Sequence, residues 1–323
     1  MTTTIRATVI GLIAVVAAAC SGAASPSPSP IAAPSSAPSV ATSAATSPSA
    51  SPSPSGLPSS CQATNLTTVT SGKLTIGTDN PAYPPYYQPP ATGKATAPWQ
   101  LGDPTDGQGF ESAVAYAIAD KLGFSKDSVT WIVVPFANSY APGAKKFDLD
   151  LTQISYTTDR AKVVDMSDGY YTLNQSIVAL KANPISSVTS IAALKAFRFG
   201  AQAGTTSLNT INTVIAPTAQ TRIYDSNDGA IAALKAKQID GLVVDLPTAF
   251  YVTAAQVDKS VIVGQFAPPS GTDAEHFSVV LAKGSSLTTC VNAALAAMKA
   301  DSSLDQITME WLSSKASAPV FQP

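Results

Sequence analysis

Strand-like and helix-like patterns of apolar residues follow one another from residue 72 onward. Residues 72–79 alternate as a short strand, and residues 129–134 are rich in the β-branched side chains that favour strands. Between these runs, Val114, Ile118 and Leu122 recur at helical spacing and predict a helix with one apolar face. Strands and helices that alternate at this length are typical of sheets with parallel strands, so the pattern predicts an α/β fold.

The same alternation continues in a second unit. Its predicted strands cover residues 198–202, 222–224 and 241–244, and its predicted helices cover residues 191–197, 207–215, 228–235 and 248–255. A strand at 277–282 then leads back to the first unit, where helices at 287–299 and 303–313 end the chain.

These elements predict two lobes joined by two crossover segments. We assign the predicted strand at 176–180 to the first lobe and the first crossover to Lys181–Pro184. The first lobe is then expected to cover residues 61–181, the second lobe 182–276, and the return to the first lobe 277–323. Two α/β lobes with hinges between them form a cleft, and such a cleft is a natural site for a small ligand.

The first 20 residues are predicted to be a targeting signal. Arg6 precedes a short apolar run, and the small residues Ala17–Ala19 lead into Cys20. Small residues directly before a cysteine resemble the lipobox of bacterial lipoproteins, and this resemblance implies that Cys20 carries a lipid after cleavage. Ala17 stands where the lipobox usually has Leu or Val, so cleavage followed by simple secretion is the alternative.

Residues 21–60 consist almost entirely of Ser, Pro, Ala and Thr, and no charged residue lies between Arg6 and Lys73. Because this segment has no apolar periodicity to bury, we expect a disordered tether with polyproline II character. Fully extended, it would reach roughly 120 Å.

Charge and cysteine content argue against several classes of function. The 19 Lys and Arg and 21 Asp and Glu give a net charge of −2, and no basic run is present, so nucleic acid is not an expected partner. Cys61 and Cys290 are an even pair at the two ends of the folded part, which predicts a disulfide in an exported protein. The cysteines have no metal-binding spacing and His276 is the single histidine, so neither a metal nor a cofactor is expected.

Residues 147–160 are predicted to be a strand that runs into a hydroxyl-rich turn closed by Arg160. Gln153, Ser155 and Thr157 are two residues apart, so an extended chain would project them from one face. The guanidinium of Arg160 adds a planar, permanently charged fork, and this combination suits a small carboxylate. The alternative is a surface arginine paired with a nearby aspartate.

Six motifs then suggest a family. They are Gly77-Thr-Asp79 with Tyr83-Pro-Pro-Tyr-Tyr87, Gly109-Phe-Glu111, Gln153-Ile-Ser-Tyr-Thr-Thr-Asp-Arg160, Val164-Asp-Met-Ser-Asp-Gly-Tyr-Tyr171, Gly200-Ala-Gln-Ala-Gly-Thr-Thr206 and Ile239-Asp-Gly-Leu-Val-Val-Asp245. In this order and spacing they resemble the extracellular solute-binding proteins of bacterial ABC importers, of the family 3 type that binds polar amino acids. The resemblance runs from Gly72 to about Leu312 and implies a two-lobed, periplasmic-binding-protein-like fold.

The resemblance also implies how a zwitterionic ligand is held. Arg160 stands where members of the family bind the α-carboxylate, and Ser155 stands where a hydroxyl assists. Asp245 stands where members bind the α-ammonium, although a helix cap is the alternative for this residue. Gln153 occupies a position that is often Ser or another small polar residue.

Four further residues complete the expected ligand-binding set. Thr205 and Thr206 are predicted to lie at a helix N-terminus, which favours an anion, and an ordinary N-cap is the alternative. By the resemblance, Asp79 and Tyr83 line the side-chain end of the pocket. The pocket then allows glutamine, glutamate, asparagine or a basic amino acid.

As a whole, the resemblance implies the substrate-binding component of an ABC importer, which captures its ligand by cleft closure. We expect a monomer that is anchored by its lipid to the outer face of the cell membrane and is recognised there by permease subunits. A sensory or surface lipoprotein and a dehydratase-type enzyme on the same scaffold are the alternatives. The sequence has no nucleophile elbow, metal cluster or histidine placed as a general base, so enzymatic activity is not expected.

Overall fold

The computed structural model describes residues 56–91, 93–268, 273–312 and 318–323. The predicted signal, Cys20 and nearly all of the predicted tether lie outside these ranges. Among the helices described here, none combines the length and the apolar character that a membrane crossing requires.

Within the described residues, ten strands form two sheets of five strands each. In chain order the strands are β1 (Leu74–Thr78), β2 (Val129–Val133), β3 (Leu149–Asp150), β4 (Asp165–Thr172), β5 (Gln175–Leu180), β6 (Phe199–Gln202), β7 (Arg222–Tyr224), β8 (Gly241–Asp245), β9 (Ser260–Gln265) and β10 (His276–Leu281). The first sheet has the order β2-β1-β3-β10-β4 and the second has the order β7-β6-β8-β5-β9.

The α-helices are α1 (Phe110–Lys121), α2 (Phe136–Ser139), α3 (Thr158–Val163), α4 (Ile191–Leu194), α5 (Thr206–Thr210), α6 (Asn227–Lys235), α7 (Leu246–Tyr251), α8 (Leu287–Ala300) and α9 (Ser303–Leu312). Wider π-helical turns at Ile211–Ile215 and Val252–Gln256 extend α5 and α7. The predicted α/β class is confirmed. Of the residues with helical apolar spacing, Val114 and Ile118 lie in α1 and Leu122 is its C-cap.

Each sheet contains one strand that runs against its neighbours. In the first sheet, β1 pairs in parallel with β2 and β3, whereas β10 pairs antiparallel with β3 and β4. In the second sheet, β6 pairs in parallel with β7 and β8, whereas β5 pairs antiparallel with β8 and β9. Each of these two antiparallel strands is the first strand that the chain forms after it passes from one lobe to the other.

The predicted boundary at residue 181 is wrong, because β5 belongs to the second sheet. The crossing occurs at Leu173–Asn174: Leu173 donates its N–H to the carbonyl of Glu275, and the carbonyl of Asn174 accepts from Leu246 in the second lobe. The sequence gives no sign of this crossing, because β4 and β5 are separated by only two residues. Strand β5 is also buried on both faces for most of its length, so no alternation assigns it to a sheet. Strand β9, which pairs with β5, was not predicted from the sequence.

The last six residues do not lie in the first lobe, contrary to the prediction for 277–323. Val320 forms a bridge with Gln265, and Gln322 forms a bridge with Ser190. The ring of Phe321 packs against that of Phe266 in the core of the second lobe, with 5.0 Å between ring centroids. This placement depends on contacts that are distant in sequence, which local pattern cannot reveal.

The first lobe is closed by the predicted disulfide. Cys61 and Cys290 are bonded, with 5.2 Å between their Cα atoms, and both side chains are buried in the core of that lobe. The bond attaches the beginning of the described chain to α8, so both ends of this core belong to one lobe.

Candidate functional site

A cavity lies where the carboxyl ends of parallel strands from both sheets meet. The segments that follow β1, β3, β6 and β8 all line it, which is the usual place for a ligand in α/β folds. All eight residues predicted to bind a ligand line this cavity, namely Asp79, Tyr83, Gln153, Ser155, Arg160, Thr205, Thr206 and Asp245.

Arg160 is buried and its guanidinium is oriented by both lobes. It lies in the first turn of α3, where Thr157 accepts its backbone N–H at 3.1 Å and so caps the helix. Its Nη1 donates to the carbonyl of Ser155 at 2.5 Å, and its Nη2 donates to the carbonyl of Gly204 in the second lobe at 2.8 Å. The guanidinium carbon lies 4.4 Å from the ring centroid of Tyr140. Burial lowers the pKa of Arg160, but a guanidinium stays protonated at neutral pH.

The alternative of a surface ion pair for Arg160 does not hold. The carboxylate of Asp159 pairs instead with Lys162 at 2.6 Å, and that of Asp165 pairs with Lys283 at 3.3 Å. Arg160 is only 7% exposed and forms no ion pair with a described residue. Its positive charge is therefore free to meet an anion in the cavity.

Hydroxyl groups from both lobes line the same cavity as this guanidinium. The Oγ atoms of Ser155 and Thr206 are 3.4 Å apart across the cleft. The Thr205 side chain caps α5 instead: its Oγ1 accepts from the backbone N–H of Leu208 at 3.1 Å and donates to the carbonyl of Gln202. The N-cap alternative is therefore correct for the Thr205 side chain, whereas the Thr206 hydroxyl contacts Oγ of Ser155 and accepts from the side-chain amide of Gln175 at 3.3 Å.

Asp245 ends β8 and faces Arg160 from the second lobe. The helix-cap alternative does not hold, because its carboxylate accepts no hydrogen bond from the first turn of α7. Its Oδ1 accepts instead from the side-chain amide of Gln175 at 2.6 Å, and the same amide nitrogen lies 3.1 Å from Oε1 of Glu275. Burial, followed by the negative charge of Glu275, raises the pKa of Asp245 well above its usual range.

Asp79 and Tyr83 line another part of the cavity. The Oδ1 of Asp79 accepts the backbone N–H of Asn80 at 2.7 Å, while burial raises the pKa of this carboxyl. The hydroxyl of Tyr83 is buried and forms no hydrogen bond with a described residue. Both side chains therefore retain polar atoms that a ligand could engage.

Gln153 reaches the cavity by a different route from the one predicted. Its φ of +52° breaks the extended chain, so Gln153, Ser155 and Thr157 do not alternate on one strand face. The predicted geometry is wrong here because β3 ends at Asp150. The backbone N–H of Gln153 donates to Oε1 of the buried Glu111 at 2.7 Å, and its side-chain amide also contacts that carboxylate.

Sequence reasoning missed several residues that complete the site. Phe136 lines the cavity directly after Pro135, where β2 gives way to α2, and its ring centroid lies 5.7 Å from the guanidinium carbon of Arg160. Its place just beyond the carboxyl end of a parallel strand was the signal that could have found it. Gln175, which donates to Asp245, and Glu275, which accepts from the same amide, lie next to the crossings, and the misplaced boundary kept them out of the prediction.

Within the described ranges, no group of three or more His, Cys, Asp or Glu side chains is arranged to hold a metal ion. The site offers instead one cation, several carboxyl groups, hydroxyls and aromatic rings.

Comparisons with known proteins all point to one family of solute-binding proteins. Residues 74–314 match the sequence model of the bacterial extracellular solute-binding proteins, family 3. The ABC transporter glutamine-binding protein GlnH of Bacillus subtilis is 31% identical over 218 residues, which cover 66% of this chain and 76% of that protein.

Solved structures show the same fold. An ancestral arginine-binding protein bound to glutamine is 30% identical with a TM-score of 0.60, and the match covers 75% of this chain and 98% of that one. The ancestral amino acid-binding protein AncCDT-1, a precursor of cyclohexadienyl dehydratase, is 27% identical with a TM-score of 0.59, covering 75% and 96% of the two chains. This chain thus belongs to the bacterial extracellular solute-binding proteins of family 3.

Proposed function

We propose that this protein is the substrate-binding component of an ABC importer and that it captures a polar amino acid by closing its lobes around it. The observation that carries this proposal is that Arg160 from the first lobe and Asp245 from the second line the same cavity. An α-amino acid carries a carboxylate and an ammonium on the same carbon. The guanidinium of Arg160 complements the carboxylate, and the carboxylate of Asp245 complements the ammonium.

The carboxylate of the amino acid binds the guanidinium of Arg160, assisted by the hydroxyls of Ser155 and Thr206. Two of the five N–H donors of Arg160 bond to backbone carbonyls, which leaves donors for the ligand. The α-ammonium binds Asp245, and the positive charge of the ligand favours the ionised form of that carboxyl. Because the two groups lie on different lobes, both contacts exist only when the cleft is closed, and binding thereby favours closure.

The side chain of the ligand lies beside Asp79, Tyr83 and Gln153. Asp79 has no cationic partner among the ion pairs of the described residues. A carboxylate in this position favours a side chain with N–H groups, so glutamine and the basic amino acids fit better than glutamate. The glutamine-binding and arginine-binding relatives support this ligand class.

We also infer an extracytoplasmic location for this protein. Lipidation of Cys20 would hold it at the outer face of the membrane, next to the permease subunits that receive the ligand. Incorporation of labelled fatty acid into the wild type but not into a Cys20→Ala variant tests the anchor. Release of unmodified wild-type protein into the medium would instead indicate simple secretion.

Calorimetry against all twenty L-amino acids tests the proposed ligand. The protein is first unfolded and refolded to remove bound solute, and the ligand is recovered afterwards and analysed by mass spectrometry. We expect micromolar or tighter binding of one or a few polar amino acids, which are recovered unchanged. Absence of binding across the set would contradict the proposal, and recovery of a converted product would favour the enzyme alternative.

A further inference from the structure

Glu111 is a fully buried carboxyl group directly behind the cavity wall. It lies in the first turn of α1 and has an exposed fraction of 0%. Three donors converge on it: the backbone N–H of Gln153 and the hydroxyl of Tyr170, at 2.7 and 2.5 Å from Oε1, and the side-chain amide of Gln153 on Oε2. None of the ion pairs among the described residues includes Glu111.

The ionised carboxylate of Glu111 determines which end of the Gln153 amide faces the cavity. A carboxylate has only acceptors, so the amide nitrogen must point toward it. The hydrogen bonds of Gln153 to described residues all run from its two nitrogens to Glu111, and its amide oxygen receives none. Because the Gln153 side chain lines the cavity, this oxygen is available there as an acceptor.

Local backbone geometry brings Glu111 and Gln153 together. Gln153 has a φ of +52°, a conformation that is uncommon outside glycine and persists where surrounding bonds hold it. Glu111 supplies those bonds to both the backbone and the side chain. Gly109, with a φ of +102°, lets the start of α1 approach the backbone, since a Cβ there would lie 2.5 Å from the carbonyl oxygen of Tyr86.

We propose that Glu111 is a positioning residue whose ionisation state sets the polarity of the Gln153 amide and so determines whether the cavity offers the ligand an acceptor or a donor. This inference rests on the proposed function, because Gln153 is taken as part of the amino-acid site. When Glu111 is protonated, its O–H must donate, and a half-turn of the Gln153 amide satisfies it. The amide NH2 then faces the cavity and opposes the N–H groups of the ligand.

Both forms of Glu111 are accessible near neutral pH. Burial raises its pKa to about 7, and the hydrogen bonds from Tyr170 and Gln153 lower the pKa against that trend. A ligand that donates to the Gln153 oxygen favours the ionised form, so its binding lowers this pKa and releases protons. Affinity for such a ligand therefore rises as the pH increases through about 7.

Other ionisable groups face Glu111 from neighbouring elements. They are Tyr86 and Tyr87 before α1, Tyr170 on β4, Asp150 on β3 and Asp245 at the end of β8. Burial raises the pKa of all three phenols, which remain neutral in this pH range. It also raises the pKa of both aspartates, and Asp245 adds its own pH dependence because it must ionise to bind an ammonium. The experiment must therefore separate the effect of Glu111 from that of Asp245.

Calorimetry with L-arginine and L-glutamine on the full chain, at about pH 6, 7 and 8, separates these effects. Measurements near pH 7 in two buffers of different ionisation enthalpy give the number of protons released on binding. For the wild type, we expect the bond between the ligand and the Gln153 amide oxygen to make affinity about threefold to tenfold weaker at the lowest pH than at the highest. Binding should also release protons. In Gln153→Ala, the part of this dependence that comes from Glu111 should disappear, and only that of Asp245 should remain.

Glu111→Gln extends the test, with Glu310→Gln as its matched control because Glu310 is exposed on α9. Loss of the Glu111-dependent proton release in the first variant, and its retention in the second, is the expected result. If Glu111→Gln fails to fold, the comparison of Gln153→Ala with the wild type still tests whether Glu111 acts through the Gln153 amide. Equal proton release and equal pH dependence in wild type and Gln153→Ala would overturn the inference and leave the proposed function intact. Failure of the wild type to bind any amino acid would overturn both.

Discussion

At the scale of single residues, the guanidinium of Arg160 makes contacts in both lobes. One terminal nitrogen bonds to the carbonyl of Ser155 in the first lobe, and the other bonds to that of Gly204 in the second. The Tyr140 ring covers one face, so the plane of the fork is fixed by three contacts. A planar fork held in this way can form two parallel hydrogen bonds with a carboxylate, which an ammonium cannot do.

Replacing Arg160 by lysine tests this geometry while keeping the charge. We expect Arg160→Lys to weaken amino-acid binding by about 1.5–3 kcal/mol, because the ligand carboxylate loses one charge-assisted hydrogen bond and the fixed orientation of the fork. Calorimetry gives the affinity, and circular dichroism checks the fold. Arg222→Lys on β7 is the control, since Arg222 is exposed there. An affinity within threefold of wild type for the Arg160 variant would show that the carboxylate binds elsewhere.

The sequence allowed the chemical types of the site residues to be predicted better than their geometry. Arg160 and Asp245 were identified by charge and motif, and both line the cavity. The turn at Gln153 was missed, because a positive φ in a non-glycine residue is imposed by Glu111, which lies 42 positions earlier in the chain. Tyr140 was missed because an aromatic residue in a short loop carries no signal of the guanidinium against which it packs.

At the scale of elements, an ion pair joins the starts of two neighbouring parallel strands in the second lobe. Arg198 precedes β6 and Asp240 precedes β8, and their side chains form two hydrogen bonds of 2.8 and 2.9 Å. The same carboxylate accepts the backbone N–H of Arg198 and the side-chain amide of Asn183. These bonds fix the register at which the two strands begin.

Protonation of Asp240 should remove this stabilisation. The bonds from Arg198 lower the pKa of Asp240 to about 2, below that of the unfolded chain, so the stabilisation is present above about pH 4 and is lost as the pH falls toward 2. We expect Asp240→Asn to reduce the free energy of unfolding by about 1 kcal/mol at neutral pH, since the Arg198 side chain is exposed, and by almost nothing near pH 2. Urea titrations across this range measure the difference. Asp258→Asn is the control at an exposed aspartate of the same lobe, and a constant difference at all pH values would contradict the assignment.

Periodicity predicted most helices and strands because it depends on neighbours within one element. The helix that became α8 was predicted within one residue of its observed bounds, since its apolar face packs on a single core. The sheet to which a strand belongs depends instead on pairing with strands that are distant in the sequence. Strand β5 has apolar residues on both faces, which fits either sheet, and only its pairing with β8 and β9 decides.

At the scale of the whole molecule, the described chain ends on a different lobe from the helix that precedes it. Helix α9 packs in the first lobe, whereas Phe321 is 5% exposed within the core of the second. The Phe321 ring also contacts Gly264 on β9, where a Cβ would lie 2.8 Å away. The C-terminal residues therefore contribute to the stability of the second lobe.

Truncating this ring should destabilise the second lobe selectively. We expect Phe321→Ala to reduce its free energy of unfolding by about 3 kcal/mol, through loss of buried area and formation of a cavity. The three tryptophans all pack in the first lobe, so their fluorescence reports on that lobe, whereas far-ultraviolet circular dichroism reports on both. In Phe321→Ala, the dichroism transition should begin at a lower urea concentration than in the wild type, whereas the fluorescence transition should shift less.

Val320→Ala is the control for this measurement, because Val320 is the adjacent residue and is 47% exposed. It should leave both transitions close to those of the wild type. Equal shifts of the two transitions in Phe321→Ala would show that the lobes unfold as one unit and that the C-terminal residues stabilise the whole protein.

The position of β10 has a consequence for the order in which the two lobes can fold. This strand lies between β3 and β4 in the first sheet, yet the whole second-lobe sheet is encoded between β4 and β10. In a chain that emerges N-terminus first, the first sheet lacks the strand between β3 and β4 until residues 276–281 emerge. All five strands of the second sheet are contiguous in the chain and are available earlier. N-terminus-first emergence therefore favours the second lobe as the first to form a complete sheet, although the first lobe begins the fold.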